Sequence, residues 1–130
     1  MHWTRFALAV IGAGFVTSMT DWFFAGDWIH KRFTYPEIWR KGPETRAIIV
    51  SSALPFVTCA AFMGLALWLD VHSLATVLML SLLVWLIGPL PLILTNAAFI
   101  KFHWVFVTFY SAGWLVKLVI AAFVAHWVLV

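Results

Sequence analysis

Four long stretches of this chain carry almost no polar side chains, and short polar interruptions separate them. They run from Thr4 to Phe24, Pro43 to Leu69, Ser73 to Phe99 and Trp104 to Val130, each between 21 and 27 residues. About 20 apolar residues in a helix cross the hydrocarbon core of a bilayer. The pattern therefore predicts an all-α fold: a polytopic membrane protein of four transmembrane helices in a single domain. One polar segment of real length, Ala25–Glu44, lies between the first two spans and reads as a cytoplasmic interfacial loop.

Within the spans, small residues and prolines mark where helices meet or bend. Ala9, Ala13 and Thr17 form a small-residue stripe at helical spacing in span one, broadened by Gly12, Gly14 and Ser18. Ala60 and Gly64 make a second small pair in span two. Small faces let transmembrane helices approach closely where lipid supplies no hydrophobic drive. Pro43 and Glu44 suit the first turn of span two. Pro55, inside that span, cannot donate to the carbonyl of Ser51; a kink is expected, with Ser51 or Ser52 at hand to satisfy the freed group. Gly88, Pro89 and Pro91 require span three to bend or unwind in its second half. Asp70–His72 and Ile100–His103 read as tight turns.

The long loop mixes Lys31, Arg32, Arg40 and Lys41 with Trp28, Ile29, Phe33, Tyr35, Ile38 and Trp39. Basic and aromatic residues together mark the headgroup region of a membrane. Trp28, Lys31, Arg32, Trp39, Arg40 and Lys41 are the expected headgroup contacts. Pro36 to Lys41 is expected to form a helical turn or two, stopped by Gly42.

Composition narrows the picture in one direction. The chain is 65% hydrophobic and 10% charged, whereas soluble domains average about 25% charged residues. The high sequence pI, about 9.4, then reads as loop charge and not as a nucleic-acid footprint. With four spans, Arg5 lies on one side and Lys31, Arg32, Arg40, Lys41, Arg46 and Lys101 lie on the other. Positive residues stay in the cytoplasm, so both termini are expected outside. Arg5 and the apolar run after it imitate a secretory leader, but the run continues through Thr17, Ser18 and Thr20 to Asp21 without a small-x-small cleavage site, so it reads as a retained span. Cys59 is the single cysteine, which excludes an intrachain disulfide.

The residue that stands out is Lys117, the one full charge in the last span, thirteen residues from either end of it. A lysine at mid-bilayer costs roughly 2.5 to 3.5 kcal/mol and faces a bundle interior or a partner. Tyr110, Gly113 and Trp114 share its helix face. It could anchor a substrate or carry a proton. It could also pair with Asp21; the plainer reading is that it snorkels along Tyr110 or bonds to carbonyls near Pro55 or Pro89. Counted along span one, Asp21 falls at the cytoplasmic end, roughly half a bilayer from Lys117, which disfavours that pairing. Lys117, Tyr110, Asn96, Asp21 and Trp114 are the candidates for a polar route or substrate site.

The remaining chemistry is sparse. His2, Asp70, His72 and His126 are weak metal candidates on the outer side, but Asp70-Val71-His72 is no metal motif. His30 and His103 fall among headgroups, and His103 and His126 sit at opposite ends of one helix, which argues against haem. Gly12 and Gly14 imitate half a dinucleotide fingerprint with no strand before them. No catalytic residue and no cofactor are expected.

Two stretches together, Asp21–Arg40 (DWFFAGDWIHKRFTYPEIWR) and Leu83–Phe99 (LVWLIGPLPLILTNAAF), followed by Ser111–Lys117 (SAGWLVK), resemble a bacterial membrane family known as domain of unknown function 1761. The resemblance covers nearly the whole chain. It implies a four-helix inner-membrane fold and brings no established activity. The expected role is a structural or accessory membrane component that self-associates or docks to another membrane protein. The alternatives are a small oligomeric transporter or channel using Lys117 and, third, a membrane enzyme holding a lipid headgroup at the loop.

Overall fold

The computed structural model describes residues 2–129. Its elements are helices α1 (Trp3–Ala25), α2 (Asp27–Phe33), α3 (Thr45–Trp68), α4 (Leu74–Ile87), α5 (Pro89–Phe99) and α6 (Trp104–Val124). A 3-10 turn spans Pro36–Ile38, and a π-helical turn, Ala125–Leu129, extends α6. No strand is present among the described residues. Four helical stretches are long and apolar enough to cross a membrane: Trp3–Phe33, Thr45–Trp68, Leu74–Phe99 and Trp104–Leu129.

The breaks follow from local chemistry. Gly26, with ψ of −172°, interrupts α1 from α2. Gly88 and Pro89 divide α4 from α5: Pro89 has no N–H, and Gly88 takes a non-helical ψ of −84°, although its N–H still bonds to the Val84 carbonyl at 3.0 Å and its carbonyl accepts from Leu92 at 3.1 Å. At the end of α3, Asp70 adopts a left-handed φ of 55°. Its N–H bonds to the carbonyl of Leu67 and that of Val71 to Ala66, both at 3.1 Å, the paired bonds of a Schellman cap. The next helix starts on Ser73, whose hydroxyl accepts from the N–H of Thr76 at 3.1 Å. Gly42, at φ of 114°, turns the loop into α3 from a conformation few other residues adopt. Pro55 lies inside α3. The Ser51 hydroxyl does not serve the carbonyl that Pro55 frees: it donates to Ile48 at 3.1 Å.

Helix α6 is the hub. It packs on α1, α3, α4 and α5, and also touches α2. Helices α1, α3 and α6 form a three-helix centre, with α4 and α5 leaning on the other side of α6. The core is Ala9, Ala13, Cys59, Phe62, Met63, Ala66, Val77, Leu118, Ala121, Ala122 and Ala125. The stripe of Ala9, Ala13 and Thr17 is buried together with Gly14, against whose face the ring of Phe56 lies. Gly12 and Gly64 face open space instead. Outward faces are apolar, with Ile48, Ile49, Leu54, Ile87 and Leu92 all more than half exposed.

Candidate functional site

The site begins with a register set by two small contacts. Helices α1 and α6 run antiparallel, and Gly113 meets Phe24 so closely that a Cβ there would come within 2.6 Å of the Phe24 Cβ. Four residues further into α6 is Lys117, and three residues back along α1 is Asp21. The two therefore arrive at the same level. The Lys117 ammonium lies 2.8 Å from an Asp21 carboxylate oxygen, with 6% of the lysine side chain and 27% of the aspartate side chain exposed. The Trp114 ring, one turn earlier on α6, covers the ammonium at 4.0 Å from its centroid. Charge, counter-charge and π face together replace the water this lysine gives up.

This arrangement corrects the sequence reading of Asp21. The residue does not sit at the end of the first helical stretch, because α2 carries that stretch on to Phe33. Phe24 and Trp28 both pack on Phe109, with centroids 6.1 and 5.7 Å apart, and His30 packs on Phe106 at 5.8 Å. The start of α6 thus lies beside the end of α1 and beside α2, beyond Asp21, and both charges fall well inside their stretches.

Of the other route candidates, Tyr110 is half-buried on the face of Lys117, its ring 5.4 Å from that of Phe106. Asn96 is not brought to the pair: it lies near the end of α5, where its carbonyl caps the N–H of Ile100 at 2.7 Å.

Around the pair lies a set of clamps that sequence reasoning missed. The Thr17 hydroxyl donates to Ala13 at 2.8 Å and sits 3.6 Å from the Cys59 sulfur, tying α1 to α3. The Ser18 hydroxyl donates to the Ser52 carbonyl of α3 at 3.1 Å. On the other side of α6, Ser81 donates to the Leu118 carbonyl at 3.1 Å and the Trp85 indole to the Ser111 carbonyl at 2.9 Å. Ser81 and Trp85 stand four residues apart in a helix otherwise apolar beyond Thr76 of its first turn, a one-face spacing that could have flagged them.

The headgroup candidates divide. The Trp28 indole is satisfied by the Phe23 carbonyl at 2.5 Å, and Lys31 pairs with Asp27 at 2.9 Å. Arg32, Trp39, Arg40 and Lys41 are exposed. The weak metal candidates give one contact, His72 to Asp70 at 3.1 Å, with both side chains largely exposed. Among the described residues no group of three His, Cys, Asp or Glu side chains is placed to hold a metal ion. His2 is exposed at the start of α1, and His126 keeps its Nδ1 buried without a partner in the π-helical turn.

The chain matches no protein-family model, no curated protein and no solved structure in comparisons with each.

Proposed function

We propose that this chain is a small multi-pass protein of a bacterial inner membrane with a structural or accessory role, in which Asp21–Lys117 locks the first span to the last. The single observation that carries it is the 2.8 Å ion pair. It uses the charge of Lys117 inside the fold and leaves little of the lysine to meet a substrate. Exposed tryptophans at helix ends support membrane residence: Trp3, Trp68 and Trp127 at one end and Trp104 at the other, where amphipathic rings settle at bilayer interfaces. The six lysines and arginines on the loop side support a cytoplasmic loop with both termini outside. Self-association or docking to another membrane protein fits the open small surfaces at Gly12 and Gly64. Membership in the domain of unknown function 1761 family is part of the same proposal.

The partial exposure of Asp21 favours one second reading, an oligomeric transporter whose polar route reaches the pair from that carboxylate. Reconstitution in vesicles under proton and potassium gradients separates the two. A structural pair gives native vesicles no more flux than protein-free ones, and Lys117→Ala lowers thermal stability. Native flux that Lys117→Ala abolishes with helicity intact would establish the transporter and overturn the structural role.

A further inference from the structure

The loop between α1 and α3 is not strung out along a surface. The His30 and Trp39 rings lie 4.3 Å apart, and the Trp39 indole donates to the Thr34 hydroxyl at 2.8 Å, folding the segment back on α2. Phe33 packs on His103 at 5.4 Å, and the Lys101 ammonium sits 4.7 Å above the Tyr35 ring, pinning the loop to the turn before α6. The result is a compact cap over one end of the helices.

Folding concentrates charge there. The cap and its neighbours carry six cations, Lys31, Arg32, Arg40, Lys41, Arg46 and Lys101, against three carboxylates, Asp27, Glu37 and Glu44. At the opposite end Arg5 and Asp70 cancel. Among the described residues, of the cap cations only Lys31 is in an ion pair. Arg32, Arg40, Lys41, Arg46 and Lys101 are all exposed. Arg32 adjoins Phe33, and Lys101 is two residues before His103, so the Phe33–His103 contact brings these two cations together from separate parts of the chain. Arg40 and Lys41 follow Trp39, which is held against His30.

We infer that this cap binds anionic phospholipid headgroups, with Arg32, Arg40, Lys41 and Lys101 meeting the phosphates while Trp39 and Tyr35 sit at the acyl boundary. Charge complementarity selects the partner: five unpaired cations on an aromatic platform at the end of apolar helices face a layer of phosphates, and a zwitterionic headgroup offers no net charge to match them. Each cation near such a surface is worth about a fivefold change in affinity.

The test titrates short-chain phosphatidylglycerol or phosphatidylcholine into the purified full chain in neutral detergent. Tryptophan fluorescence and thermal midpoint are read together. The expected result is saturable binding of phosphatidylglycerol, tighter than phosphatidylcholine by at least about tenfold. Lys101→Gln or Arg32→Gln alone should cut that preference about fivefold. The variant with Arg32, Arg40, Lys41 and Lys101 all changed to glutamine should abolish it with helicity retained. Arg5→Gln, at the other end, should leave it unchanged. Equal binding of the two lipids would overturn the inference, as would a preference left undiminished in the single variants or retained in the fourfold variant. Saturation by inorganic phosphate alone would identify a free-anion site, and tighter binding of polyglutamate would identify an acidic protein partner; either would also overturn it.

Discussion

Removing one charge from the Asp21–Lys117 pair should cost more than removing both. Asp21→Leu strands an ammonium whose side chain is 6% exposed, and an unpaired buried charge of this kind costs about 3 to 5 kcal/mol. Lys117→Met strands a carboxylate that is 27% exposed. That group can reach water or take up a proton, so the loss should be smaller, about 2 to 3 kcal/mol. The double variant leaves two apolar side chains of similar length between α1 and α6, and replacing a buried ion pair in this way is neutral to within about 1 to 2 kcal/mol. Interhelical hydrogen bonds in membranes average only about 0.6 kcal/mol, because the unfolded chain finds other partners there. The stranded ammonium is distinguished by keeping only the Trp114 ring, 4.0 Å away, in place of its counter-charge. Unfolding by sodium dodecyl sulfate in dodecyl maltoside micelles, followed by far-ultraviolet circular dichroism, gives all four corners of the cycle. Additive losses, with the double variant as unstable as the two single losses combined, would refute the reasoning. So would Lys117→Met costing more than Asp21→Leu.

The same unfolding assay checks the other contacts. Gly113→Ala drives a methyl into Phe24 and should cost about 1 to 3 kcal/mol, whereas Gly12→Ala meets nothing within 4 Å and should gain up to about 1 kcal/mol from helix propensity; equal effects would contradict the α1–α6 register. Asp70→Gly relieves the left-handed φ of 55° and should stabilise by about 0.5 to 1 kcal/mol, a gain that a destabilised variant would deny. Trp85→Phe removes the 2.9 Å bond to the Ser111 carbonyl and should cost about 0.6 to 2 kcal/mol. An unchanged midpoint would mean that the indole does not hold α4 to α6.

Helices were legible in the sequence because their signals are local. Unbroken apolar runs and Gly88 with Pro89 each act over a few residues, and both leave their mark in the fold. Pro36 starts a turn that ends at Ile38, short of Gly42, and Pro43 and Glu44 lie just outside α3 and not in its first turn. The importance of Lys117 was legible from its isolation in an apolar span. Its partner was not. Whether Asp21 reaches Lys117 depends on the register of two helices about ninety residues apart in sequence, and that register follows from Phe24 seating on Gly113. It also depends on α2 continuing the first stretch past Gly26, where the loop's polar composition concealed a helix. Ser51 shows a similar limit. Its hydroxyl lies close to the carbonyl freed by Pro55, yet Ile48 is the acceptor it finds. Asp21 and Asn96 each lie near the end of an apolar run, but only Asp21 has a charge opposite it on the hub helix.

The most direct test of the ion pair is a distance measurement in a bilayer. Solid-state magnetic resonance on protein carrying nitrogen-15 lysine and carbon-13 aspartate reads the dipolar coupling between the Lys117 Nζ and the Asp21 Cγ, assigned by its loss in Lys117→Met. Strong dephasing consistent with direct contact is the predicted result, and none above the Lys117→Met background would contradict the account.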